Sequence, residues 1–187
     1  MRYLTMEAVE IIKESEVVIA FGRISKTAEK LKGEIIAVNR VDEIIKNIDK
    51  NKKTAILASG DPCFYGVTEY LKRNGIEIDE IIPGLSSFQY MMAKLKKSWQ
   101  DAALLSLHGR EDGYERALKS RLSVLLTDSK NSPNEISKKL YEMGLRGTIY
   151  TGYNLSYDDE CIIEKKVGEE IEKMGTISLV VIENEMV

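Results

Sequence analysis

The residues best placed to do chemistry lie in two short turns. Ala58-Ser59-Gly60-Asp61-Pro62-Cys63-Phe64-Tyr65-Gly66 follows an apolar run and precedes a helical pattern, and Ile82-Pro83-Gly84-Leu85-Ser86-Ser87 repeats that arrangement further along. Glycine and proline make tight turns whose backbone N–H and C=O groups approach a ligand closely, because Gly60 puts no side chain in the way. Asp61 adds one carboxylate, and is the best candidate for a catalytic group. Each turn alone also reads as a purely structural strand-to-helix connection, capped by Asp61 in one case and by the serines in the other. Neither contains Gly-x-Gly-x-x-Gly or Gly-Lys-Ser/Thr, which argues against a dinucleotide fold or a nucleotide triphosphatase.

Composition narrows the remaining chemistry. The 187 residues include one histidine, His108, so the usual catalytic triads and histidine-rich metal sites lose their main ingredient. The two cysteines, Cys63 and Cys161, lie far apart without Cys-x-x-Cys spacing. Two reduced thiols and no protein-bound metal are therefore expected. A net charge of −3 and a pI near 5.5 lack the positive field that nucleic-acid binding requires, so no nucleic-acid partner is expected. No apolar run approaches the ~20 residues that cross a bilayer. Met1-Arg2-Tyr3-Leu4-Thr5 does not open a signal peptide, and a cytoplasmic protein without a membrane partner is expected.

The elements that must position these turns follow from periodicity. Val17–Ala20, Glu34–Val38, Thr54–Ala58 and Ile76–Ile82 read as strands. Helical patterns over Thr5–Lys13, Ser25–Lys32, Val41–Asp49 and Gly66–Asn74 separate them. Strands alternating with helices predict a mainly parallel sheet. In the second half, Ala103–Leu107, Leu122–Thr127, Gly147–Thr151, Cys161–Val167 and Ile177–Glu183 read as strands with one clear helix, Asn134–Met143, and a hairpin near Asp158-Asp159. A mixed sheet is expected there. The polar segment Lys96–Asp101 places a domain boundary near residue 100, giving an N-terminal α/β domain over 1–100 and a C-terminal α/β domain over 101–187.

Taken in order, the turns resemble a known family. Ser59-Gly60-Asp61-Pro62-Cys63-Phe64-Tyr65-Gly66 and Pro83-Gly84-Leu85-Ser86-Ser87 are similar to the S-adenosylmethionine-binding loops of the tetrapyrrole methylases. Ser106-Leu107-His108-Gly109-Arg110 and Leu126-Thr127-Asp128-Ser129-Lys130-Asn131-Ser132-Pro133 resemble the branch that methylates cobalt-precorrin at C(5) in anaerobic cobalamin synthesis. Gly152-Tyr153-Asn154-Leu155-Ser156-Tyr157-Asp158-Asp159-Glu160 is similar to that branch's Gly-Glu-Asn-Leu-Gly-Tyr stretch, with Tyr153 and Ser156 at its second and fifth positions.

The resemblance implies a two-domain tetrapyrrole methylase fold of the class III methyltransferases, usually homodimeric, with S-adenosylmethionine in a cleft between the domains. By matching position, the main chain at Ser59, Gly60 and Asp61, with Phe64, would hold the methionine end and ribose, and Ser86 and Ser87 would line the pocket. Thr127 and Gly152-Tyr153-Asn154 would enclose the adenine. His108 and Arg110 would grip the carboxylates of a cobalt-precorrin, since an arginine pairs bidentately with a carboxylate. Tyr65, Tyr90 and Met91-Met92 would pack on the macrocycle or serve as core or dimer surface. Methyl transfer from a sulfonium needs no covalent nucleophile or metal, only alignment and exclusion of water, with alignment worth roughly 7–11 kcal/mol.

One departure stands out. The family's opening strand and Gly-x-Gly-Pro-Gly loop are not found before Tyr3-Leu4-Thr5, and a shortened reading frame with reduced activity is the expectation. Two other readings remain: methylation of another ring position or substrate within the family, and a non-catalytic partner of the decarboxylating precorrin methyltransferase.

Overall fold

Val17–Phe21 (β1) is five consecutive apolar residues, and its place in the structure explains why. In a computed structural model, which describes residues 3–107 and 113–187, β1 is the central strand of a three-stranded sheet. It pairs in parallel with Ile36–Val38 (β2) on one side and Thr54–Leu57 (β3) on the other. Parallel strands covered on both faces must be apolar on both. Val18 and Ala20 accordingly pack with Ile12 of Met6–Glu14 (α1) and Ala28 of Ser25–Ala28 (α2). Ile19 faces the other way, against Ile44 of Val41–Asn47 (α3) and Leu71 of Thr68–Arg73 (α4). Thr5 starts α1 by accepting the Ala8 N–H at 3.1 Å, an N-cap that satisfies one orphan donor.

The alternating run Ile76–Ile82, expected as a strand, joins no ladder; among the described residues the first sheet consists of β1, β2 and β3. Ile76 and Ile78 still bury against the Ile19 side. The apolar pattern thus reports burial rather than pairing: the segment packs on the core without joining β3, an edge strand that pairs only with β1 among the described strands.

The second unit is built on a five-stranded mixed sheet in the order Ala103–Ser106 (β4), Leu122–Leu126 (β5), Ser178–Asn184 (β8), Gly147–Tyr153 (β6) and Cys161–Lys166 (β7). Only the β4–β5 pair is parallel. Leu105, Leu125, Ile149, Val180 and Ile182 pack against Tyr114 and Ala117 of Gly113–Leu118 (α6) and Ile136 and Leu140 of Pro133–Glu142 (α7). Ser132 caps α7, with Pro133 in the first turn where its missing N–H costs nothing. The α/β class, the parallel first sheet and the mixed second sheet are those the sequence predicts.

The chain divides into Met1–Ser86 and Ser87–Val187, ahead of the composition change near residue 100. Ser87–Leu95 (α5) joins the second unit for physical reasons. Met91 lies against Gly152 of β6, where a Cβ would come within 2.9 Å of the Met91 Sδ. Just beyond the helix, the Lys97 ammonium pairs with Glu183 of β8 at 2.9 Å. Met91 and Met92 are fully buried and belong to this core rather than to a ligand surface. Among the described residues, no helix is long and apolar enough to cross a membrane.

Candidate active site

In the first unit, β3 delivers the chain into Ser59–Gly66 and the extended segment beyond α4 delivers it into Pro83–Ser86. The two turns touch. Gly60 adopts φ +72°, the left-handed region that favours glycine, and a Cβ there would lie 3.2 Å from the Ser86 Cα. A Cβ on Gly84 would run into the Gly60 carbonyl oxygen. The seat is therefore made of main chain on both sides.

The rest of the first turn is tied down locally. Asp61 Oδ1 accepts the Cys63 N–H at 2.8 Å and the Asp61 carbonyl accepts the Phe64 N–H at 3.1 Å, an Asx-type turn. Thr68 Oγ1 donates to the Pro62 carbonyl at 2.7 Å. Phe64 meets Tyr65 edge to face, 5.1 Å between centroids. Ser59 is exposed, Ser86 is buried, and Tyr65 stands 44% exposed at φ +50°. One Asp61 oxygen is thus committed to shaping the turn.

In the second unit, Thr127 and the Gly152–Asn154 stretch meet at one end of the sheet. Thr127 Oγ1 donates to the Ser178 carbonyl at 2.8 Å and lies 2.8 Å from the Ser178 hydroxyl, and Ser178 sits opposite Tyr153 in the β6–β8 register. Tyr153 is 1% exposed and donates its hydroxyl to the Glu172 carbonyl at 3.1 Å; burial raises its phenol above the ordinary value. Its side chain is occupied in the core, so what it offers a ligand is main chain. Ser87, the first residue of α5, is exposed. His108 and Arg110 lie outside the described residues.

Asn154 is the residue left with something to give. It is 5% exposed, at φ +45°, and its N–H donates to the Ile177 carbonyl at 3.1 Å. Its Nδ2 donates to Asp159 Oδ2 at 2.8 Å, while its Oδ1 is buried and has no hydrogen-bond partner among the described residues. A carboxylate only accepts, so Asp159 fixes which end of the amide faces it and leaves the carbonyl as the free end.

Sequence reasoning missed the group that holds this loop. Glu160 Oε1 takes the Lys94 ammonium at 2.9 Å and Oε2 takes the Ser156 N–H at 2.7 Å. The Tyr90 hydroxyl also bonds the carboxylate. Burial pushes the Glu160 carboxyl up, but the bonds from Ser156, Lys94 and Tyr90 outweigh it and hold the carboxyl below its usual value. The hydrogen bond to Glu160 raises the Lys94 ammonium in turn. The only local signal was Tyr90 and Lys94 one helical turn apart on α5.

The chain belongs to the tetrapyrrole methylases: the family model "Tetrapyrrole (Corrin/Porphyrin) Methylases" matches residues 1–170. It is a methyltransferase. It is 33% identical over 180 residues to a protein of Methanocaldococcus jannaschii described as a "Probable cobalt-precorrin-7 C(5)-methyltransferase", covering 89% of this chain and 84% of that one. The cobalt-precorrin-7 C(5)-methyltransferase of Salmonella typhimurium is 36% identical over 115 residues, 60% of this chain and 57% of that protein. Among solved structures, the precorrin-6Y methylase of cobalamin biosynthesis from Archaeoglobus fulgidus superposes with a TM-score of 0.76 at 26% identity, covering 98% of this chain and 92% of that one. The uroporphyrin-III C-methyl transferase of Thermus thermophilus, solved with S-adenyl homocysteine, shares the fold with a TM-score of 0.77 at 21% identity, covering 97% and 91%.

Proposed function

We propose that this chain transfers a methyl group from S-adenosylmethionine to ring C(5) of a cobalt-precorrin, converting cobalt-precorrin-6B to cobalt-precorrin-7 in anaerobic cobalamin biosynthesis. It does so as a cytoplasmic homodimer, without a protein-bound metal, and with the decarboxylating precorrin methyltransferase as a partner. The observation that carries donor binding is the all-backbone contact of the Gly60 turn with Pro83–Ser86, which brings the two turns together with no side chain between them. The C(5) position rests on the similarity to the named methyltransferases.

The donor supplies an activated methyl on a sulfonium. In the first unit, Ser59, Gly60, Asp61 and Phe64 hold its methionine end and ribose, and Ser86 closes the same side. In the second unit, Ser87 lines the donor pocket, and Thr127 and Gly152-Tyr153-Asn154 enclose the adenine. The buried Asn154 carbonyl fits that role, since no donor among the described residues reaches it. Asp61 orients the ribose in preference to acting as a base, because one of its oxygens already caps the turn. His108 and Arg110 take carboxylates of the macrocycle. These groups orient both reactants and keep water out, the contribution alignment makes to an in-line displacement.

Calorimetry with S-adenosylhomocysteine tests donor binding: a 1:1 heat that disappears in Gly60→Val/Asp61→Ala supports the reading, and absence of heat with the folded wild type refutes it. Incubation with purified cobalt-precorrin-6B and the donor then reads a one-methyl mass gain, with the ring position from NMR. Arg110→Ala is expected to raise KM for the macrocycle roughly tenfold or more, the worth of one charge-assisted contact of about 1.5–3 kcal/mol, without changing affinity for S-adenosylhomocysteine.

A further inference from the structure

The loop from Asn154 to Glu160 is held in a shape it would not keep alone. Asn154 (φ +45°) and Ser156 (φ +72°) both sit in the left-handed region, and neither is glycine. Such conformations persist where surrounding contacts overdetermine them. Here the contacts come from two directions. Leu155 and Met91 of α5 both reach the space a Gly152 Cβ would take. Glu160, its side chain 17% exposed, catches the Ser156 N–H with one oxygen and Lys94 with the other, and Tyr90 adds its hydroxyl. Within the loop, Tyr157 N–H donates to the Asn154 carbonyl at 3.0 Å and Glu160 N–H to the Tyr157 carbonyl at 3.1 Å. Loosening Ser156 therefore loosens the turn that begins at Asn154.

We propose that Glu160, braced by Lys94 and Tyr90 of α5, is a positioning residue that keeps the Asn154 side-chain carbonyl buried and free to accept a hydrogen bond from the bound methyl donor. The proposal rests on the donor-binding reading above and adds the group that enforces it. Glu160 does not touch the donor. Both its oxygens are occupied by the loop and the helix, and its effect passes through Asn154. Asp159, next to it in sequence, sets the orientation of the amide, while Glu160 sets the backbone that carries it.

The test is a double-mutant cycle in the full chain, read by S-adenosylhomocysteine affinity and by amide exchange at 154–157. Glu160→Ala is expected to weaken the ligand about tenfold and speed exchange, and Glu160→Gln, which keeps an acceptor for the Ser156 N–H, to recover most of both. In an Asn154→Ala background, Glu160→Ala is expected to cost no further affinity, which distinguishes positioning from general destabilisation. If Glu160→Ala loses cooperative melting, Lys94→Met at its half-exposed position gives the same reading. Additive losses in the cycle, or exchange and affinity within twofold of wild type in Glu160→Ala, overturn the proposal. A folded wild type that binds no S-adenosylhomocysteine refutes the donor reading and with it the ligand role of Asn154. The exchange arm then still decides whether Glu160 sets the loop.

Discussion

The Gly60–Ser86 contact in the first unit and the Asn154–Glu160 loop in the second reach a fixed shape by opposite routes. In the first, side chains are absent: two glycines let main chain meet main chain, and the obstacle to any addition is a carbonyl oxygen or a Cα. In the second, the backbone is strained and side chains from a helix and the loop itself hold it. A backbone seat cannot give, whereas a seat made of side chains relaxes when one of them changes. The first should therefore fail abruptly on substitution and the second by degrees.

Gly84→Ala offers the sharpest way to break this contrast. Its Cβ meets the Gly60 carbonyl, so overpacking of about 1–3 kcal/mol is expected, with a loss of S-adenosylhomocysteine affinity of tenfold or more by calorimetry. Gly60→Ala follows at about 1–2 kcal/mol, the cost of a left-handed L-residue, in thermal or denaturant unfolding. Gly152→Ala is the counterpart in the second unit. Its Cβ would come within 2.9 Å of two neighbours, but these are the far ends of Met91 and Leu155, which can rotate aside. It is expected to cost less than Gly84→Ala in the same unfolding measurement, and an equal cost would erase the distinction drawn here.

Ser156→Gly should act in the opposite direction, raising stability by about 0.5–1 kcal/mol, because relief of the left-handed strain exceeds the added freedom of the unfolded chain. The smallest effect is on pH. The Glu160 carboxyl is held below 4.5 in the folded chain, so its contribution is present above that value and is lost as pH falls through the lower folded one. Amide exchange at 154–157, corrected for intrinsic rates, should quicken below about pH 4.5 in the wild type and lose that dependence in Glu160→Gln.

What could be read from the sequence was local. The β1 run declares a strand buried on both faces, and the Gly60 and Gly84 turns declare themselves because glycine and proline act on their own backbone. The Ile76–Ile82 run misleads, since pairing depends on a partner elsewhere. Helix α6 is six residues long and packs on the core through Tyr114, Ala117 and Leu118, too short for periodicity to speak. The Glu160 group was out of reach for another reason. Lys94 and Glu160 are far apart in the chain, and only the folding of α5 over β6 and the loop brings them together.

The exposed thiol of Cys63 makes the first turn its own gauge. Its backbone N–H is pinned by Asp61, so a fluorophore attached there would ride on a fixed mount, while Cys161, on β7 and only partly accessible, reacts more slowly. Emission from a singly labelled chain would then follow arrival and departure at the Gly60 turn in real time, one molecule after another.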